Sequence, residues 1–234
     1  MKQFGLGMIV GAALLALGGY FMLSGPQAGS FPTGSKAKDA IPQGEGFDFY
    51  VLALSWSPTY CQNDQAKKRD PAQCTGARPY AFVVHGLWPQ FERGYPRACR
   101  SNQSRPSQSQ AQNMLDIMPS ERLVQHQWNQ HGTCSGLSAK DYLSVTRTAR
   151  AHVVVPEAYT NARDWKRVSV RDVEADFMAR NPGLVGDGIA VTRRGNLLSE
   201  VRICLTRDLA PRPCPEVDAD GVNGETRLSM PPSR

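Results

Sequence analysis

From Phe4 to Leu23 the chain is apolar without a single charge, and only Lys2 precedes that run. A stretch of this kind is export machinery rather than fold. About twenty residues suffice to span a bilayer, whereas most signal-peptide cores are shorter. Residues 1–28 are therefore expected to be a signal peptide or an N-terminal membrane anchor, and either places the rest outside the cytoplasm. Gly25 to Gly46 is rich in Gly, Pro, Ser and Lys, so 29–46 reads as a linker and 47–234 as one folded domain.

Phe47 to Ser55 is apolar with aromatic and β-branched residues and predicts a buried strand, ended by a turn at Trp56–Cys61. Asn63 to Arg78 is polar and loop-like. Tyr80 to Val84 predicts a second strand, broken by Gly86-Leu-Trp-Pro89, and Gln90 to Asn113 a long polar loop. Gln112 to Met118 reads as a short helix stopped by Pro119. Ser120 caps the next helix, which runs to His131 with Gly132 at its end. Ser138 with Asp141 and Ser169 with Asp172 start two more. Gly188–Arg193 and Leu197–Thr206 form a hairpin about Arg194-Gly195-Asn196, and the tail beyond Cys214 reads as ragged. Strands and helices are segregated, which predicts an α+β domain with a mostly antiparallel sheet packed with helices.

Charge changes this picture slightly. A net charge of +6, mostly from arginine, suits a polyanionic partner, because the guanidinium matches phosphate with a planar fork of donors. Cysteine changes it more. The six cysteines are Cys61, Cys74, Cys99, Cys134, Cys204 and Cys214, and none lies in a Cys-x-x-Cys pair. With an export signal they read as three disulfides, stapling a single domain. Fifteen connectivities are open. The preferred one is Cys61–Cys74, Cys99–Cys134 and Cys204–Cys214, two local loops and one tie between the two histidine-bearing stretches.

Three of the four histidines lie in those stretches, His85 in Ala81–Gln90 and His126 and His131 in Gln125–Cys134. Metal binding fits poorly. A spacing of five turns His126 and His131 about 140° apart on a helix, the residue beside His126 is Gln127 rather than a glutamate, and nothing completes a ligand set. Ser135 lacks a Gly-x-Ser-x-Gly elbow. General acid–base work by two imidazoles remains, since histidine titrates near neutrality. No metal or cofactor is expected. His152 has no motif around it and reads as structural.

Phe82-Val-Val-His-Gly-Leu-Trp-Pro89 and His126-Gln-Trp-Asn-Gln-His-Gly-Thr-Cys134 resemble the two active-site segments of the T2 family of ribonucleases, and Phe47–Cys61 its first core strand. The resemblance implies an exported, disulfide-bonded endoribonuclease. It would cleave single-stranded RNA with little base preference, through a 2′,3′-cyclic phosphate later hydrolysed to a 3′-phosphate. By position, His85 is similar to the family's general acid, His131 to its general base, and His126 to the histidine that binds phosphate. Trp88 lies where the family has an aromatic near a base pocket, although Trp88 and Trp128 themselves read as core packing more than as base stacking. Arg93, Arg97, Arg100 and Arg105 could steer RNA along the long loop, or merely solvate it.

Two positions depart from the family: Gln127 stands where a glutamate is usual and Gln130 where a lysine is. The paired change leaves local charge unaltered, and the expectation is a working enzyme, slower or shifted in pH. Arg122, His126 and Gln130 share one i, i+4, i+8 column, so Arg122 is a candidate to supply the missing positive charge. RNA is the expected partner and a monomer the expected state. The alternatives are a weakened relative that binds RNA or another partner, and a metal-dependent hydrolase.

Overall fold

The computed structural model describes residues 40–233, so the expected signal peptide or anchor and most of the linker lie outside the described residues. The chain lays down β1 (Phe49–Trp56), three short helices α1 (Ser57–Tyr60), α2 (Asp64–Arg69) and α3 (Pro71–Cys74), and β2 (Phe82–Gln90). Helices α4 (Gln108–Gln112), α5 (Glu121–Gln130) and α6 (Ala139–His152) follow, then β3 (Lys166–Ser169) and α7 (Val170–Arg180). The hairpin β4 (Ile189–Arg194) and β5 (Leu197–Leu205), helix α8 (Pro215–Ala219) and β6 (Arg227–Met230) complete it. Among the described residues no helix is long and apolar enough to cross a membrane.

One sheet runs β2-β1-β5-β6-β3, with β4 also pairing on β5. All pairings are antiparallel except a single parallel contact, Leu197 with Ser229, between β5 and β6. Side chains alternate across a pleated strand, so β1 presents two faces. Tyr50, Leu52, Leu54 and Trp56 join the main core with Val84, Leu87, Val201, Ile203 and the buried faces of α5 to α7. The other face carries Val51, Ala53 and Ser55, paired across β5 with Cys204, Arg202 and Glu200. The site is built on this second face.

The α+β class and the antiparallel sheet are as expected, and the three disulfides join Cys61–Cys74, Cys99–Cys134 and Cys204–Cys214. The three main helices start where their serines cap them: Ser120, Ser138 and Ser169 each accept from a backbone N–H inside the first turn. Other expectations need correction. Strand β2 is not broken at Gly86-Leu-Trp-Pro89 but runs through to Gln90. It lies at the sheet edge, where a proline need not donate to a ladder. Asn63–Arg78 is not loop throughout: Asn63 caps α2 and α3 follows. The expected helix Gln112–Met118 is displaced to Gln108–Gln112, because Ser107 and Gln110 form a reciprocal capping box. The tail is not ragged either, since β6 buries Leu228 and Met230 and pairs with β3. Part of the expected linker is packed as well, with Glu45 N–H donating to the Ser135 carbonyl at 3.0 Å.

Candidate active site

A bulge in β2 sets the site. Ala53 pairs with Gly86 and Leu54 with Val84, which leaves His85 as the extra residue between them. In an unbroken strand His85 and Trp88, three apart, would point to opposite faces. The bulge puts both on the site face while Val84 and Leu87 keep to the core. Gly86 is the residue this requires: a Cβ there would lie 2.0 Å from Gln127 Oε1 and 2.3 Å from Trp88 Nε1. That close approach lets Trp88 Nε1 donate to Gln127 Oε1 at 2.8 Å. Buried Gln127 is thus an anchor for the indole.

Two imidazoles pack on that indole. His85 meets Trp88 edge-on, with ring centres 5.3 Å apart, and His131 stacks on it at 5.2 Å and 27°. His85 is held from the sheet. Its Nδ1 lies 2.5 Å from Glu200 Oε1, leaving Nε2 as the free ring nitrogen. Glu200 is buried and also accepts from Ser55 Oγ at 3.1 Å and from the Arg202 guanidinium. Burial by itself would raise the Glu200 carboxyl, but the His85 hydrogen bond and the neighbouring charges of His85 and Arg202 outweigh it and hold it down to about 2.

His131 is held from the helices. It ends α5, and Gly132 follows because a Cβ there would strike the Trp128 ring at 2.3 Å and Tyr142 at 2.9 Å. Among the described residues its Nδ1 is buried with no hydrogen-bond partner. Burial, and then the charges of His85, Arg97 and His126, push the ring down to about 3, so the free site holds it neutral. His126, five residues earlier on α5, is largely exposed and is also lowered, first by partial desolvation and then by His85, Arg122 and Arg97.

These groups line two hollows. One, about 320 Å³, is bordered by His85, His126, Arg122, Arg69, Arg194 and Glu200. The other, about 290 Å³, is bordered by Trp88, His131, Arg97, Tyr95, Arg202 and Asp220. Trp88 is half-buried and carries Arg202 over its ring at 5.2 Å, while Trp128 is buried core. Arg122 reaches the first hollow with its charge engaged: its Nη2 donates to Asp70 Oδ2 at 2.8 Å. Asp70 is buried and also accepts from Ser120 Oγ at 2.7 Å and from the Tyr60 hydroxyl. Burial would raise Asp70, yet Tyr60, Ser120 and Arg122 together keep it below the usual carboxylate range. Gln130 turns to the long loop, where its Oε1 accepts from Arg97 Nε at 2.7 Å. His152 lies away from both hollows, at the end of α6. Among the described residues no cluster of His, Cys, Asp and Glu could hold a metal ion.

Sequence reasoning missed Glu200 and Asp70. Glu200 had a signal: it and Arg202 are opposite charges two apart in a mostly apolar strand, hence on one face, where buried charge needs a purpose. Asp70 gave none, because its three partners, Tyr60, Ser120 and Arg122, lie 10 to 52 positions away.

Imidazoles and arginines gathered around one indole in a disulfide-closed α+β domain make a site suited to acid–base work on a phosphodiester. The comparisons make this specific: the chain belongs to the Ribonuclease T2 family, whose model matches residues 47–214. It is 34% identical over 189 residues to a ribonuclease of Aeromonas hydrophila, covering 76% of this chain and 80% of that protein. Among solved structures it is similar in fold to an RNase-related protein from Calystegia sepium, at TM-score 0.63 and 19% identity, covering 81% of this chain and all of that one. It is likewise similar to RNase NT, solved in complex with 5′-AMP, at TM-score 0.57 and 21% identity, over 80% of this chain and 100% of the other. Family membership makes the chain an endoribonuclease with RNA as substrate, and three disulfides fit an exported protein.

Proposed function

We propose that the chain cleaves single-stranded RNA by transphosphorylation between His131 and His85. The observation that carries this reading is the packing of both rings on Trp88, each within 5.3 Å of the same indole. His131, neutral in the free site, takes the proton from the ribose 2′-hydroxyl, and that oxygen attacks the adjacent phosphorus. His85, oriented through Nδ1 by Glu200, delivers a proton from Nε2 to the departing 5′-oxygen. A 2′,3′-cyclic phosphate results. The two roles reverse when water opens it to the 3′-phosphate. His126, exposed beside His85, holds the phosphate, and Trp88 offers its ring to a base. Burial first, and then the cations around it, lower the proton affinity of His131. A bound phosphodiester offsets those charges and raises its basicity when it is needed.

The nucleophile belongs to the substrate, so the chemistry calls on no metal or cofactor. The purified domain is therefore expected to cut single-stranded RNA in EDTA and release cyclic-phosphate ends. An oligonucleotide with deoxyribose at the cleavage position is expected to survive. Cutting at that deoxyribose at the normal rate would refute the mechanism, and RNA binding without product would mark a weakened relative instead. The working unit is read as a monomer. N-terminal sequencing of the exported protein decides between a removed signal peptide and a retained anchor in residues 1–28.

A further inference from the structure

We propose that Arg97 is the cation that meets the negative charge developing on the scissile phosphate, delivered by the long loop and held in place by Gln130. This assignment rests on the ribonuclease reading of the cleft. The loop after β2 has no regular structure from 91 to 107, yet around Arg97 it is fixed at three points. Gln130 grips it twice: its side-chain Oε1 accepts from Arg97 Nε at 2.7 Å, and its backbone carbonyl accepts from Ala98 N–H at 2.9 Å. The third point is the Cys99–Cys134 disulfide. Ala98 between them sits at φ 48°, a left-handed conformation that alanine keeps only when its surroundings impose it.

The guanidinium so placed borders the hollow that His131 and Trp88 also line. Its charge is felt at both His131 and His126. Gln130 uses only the Nε donor, leaving the two terminal amino groups to form the planar fork that suits phosphate oxygens. Two other arginines of the cleft are engaged by carboxylates. Arg122 pairs with Asp70 and Arg202 with Glu200, whereas among the described residues no carboxylate lies within ion-pairing reach of Arg97. Position 130 explains the arrangement. A carbonyl oxygen can accept from a guanidinium, and a lysine there could not: its ammonium would repel Arg97 and take the place itself. A neutral amide at 130 and an arginine at 97 form one device, in which the helix holds the cation instead of carrying it.

The test is steady-state cleavage of a single-stranded RNA oligomer by the full chain and four variants. Arg97→Gln is expected to lower kcat about 10²-fold, the usual loss for one donor to a developing oxyanion, with KM altered only a few-fold. Arg97→Lys is expected to fall between the unaltered chain and Arg97→Gln, because its single ammonium keeps the charge but cannot both meet Gln130 and present a planar fork. Gln130→Lys placed on Arg97→Gln recovers at least about 10-fold, because the ammonium restores the charge from the helix side. Gln130→Lys alone gains little, as the site then holds two mutually repelling cations. Circular dichroism confirms that each variant is folded. Unchanged kcat in Arg97→Gln overturns the proposal, and so does a loss confined to KM and abolished by salt, which would mean steering only. A kcat loss that lysine at 130 cannot repair also overturns it. If the unaltered chain forms no product, the ribonuclease reading itself falls, and the assignment of Arg97 with it.

Discussion

His85 and His131 flank one indole, yet the chain holds them by opposite means. His85 stands on a strand bulge and is wired by charge: Glu200 grips its Nδ1, and Ser55 and Arg202 grip Glu200. His131 ends a helix and is wedged by packing, stacked on Trp88 with its Nδ1 buried and unpartnered. The first arrangement fixes which nitrogen faces the cleft. The second leaves orientation to shape and sets the protonation state by desolvation. On the proposed roles this asymmetry is useful, since an acid must arrive with its proton aimed and a base must arrive empty.

Removing either ring is the largest blow. His85→Ala and His131→Ala are each expected to lower kcat by about 10²–10⁴ while the fold survives, read by single-turnover RNA cleavage and circular dichroism. Retained activity in either would break the pairing outright. A smaller effect should fall on one side alone. Glu200→Gln removes the anion facing the His85 Nδ1–H and is expected to cost about 10- to 10²-fold in kcat. In a His85→Ala background the same change should cost almost nothing more, because its effect runs through that ring. Additive losses would show that Glu200 acts elsewhere.

The smallest effect is on stability, and it separates the two sides by pH. The folded state holds His131 at about 3 against an ordinary 6.5, so between those values the unfolded chain binds the proton first. Its contribution is complete above the unfolded value and is lost as pH falls through that window. Glu200 is held at about 2 against an ordinary 4.5, so its contribution is likewise present above the higher value and lost below it. His131→Asn should therefore flatten the fall in urea midpoint from about pH 6.5 downward to about 3, and Glu200→Gln only the part below about 4.5, each by on the order of 1 kcal/mol after screening. Identical pH profiles for the two variants would erase the distinction.

Much of this was legible along the chain. The serines at 120, 138 and 169 announce three helices because a cap is a local device, and the apolar run at β1 announces a strand buried on both faces. The two histidine stretches were equally plain. The bulge was not: Gly86 and Pro89 look like punctuation, and only pairing with β1 shows an edge strand that absorbs an extra residue. Strands β3 and β6 are four residues each, too short to make a periodicity. The site's supports were hidden for the same reason. Glu200 lies 115 positions from His85, and Gln130 meets Arg97 across 33, distances over which neither pattern nor propensity carries information. Arg122, aligned with His126 on the helix, likewise meets Asp70 across 52 positions.

The bond between Cys99 and Cys134 has a further meaning for the cell that makes this protein. A molecule that digests RNA endangers its own producer while it is still inside. In a thiol-rich cytosol that link stays open, and the arginine-bearing loop is tied to the end of the histidine helix by little more than two hydrogen bonds to Gln130. Closing the bond adds a covalent clasp to those two contacts, so a reducing agent is expected to loosen the loop that carries Arg97.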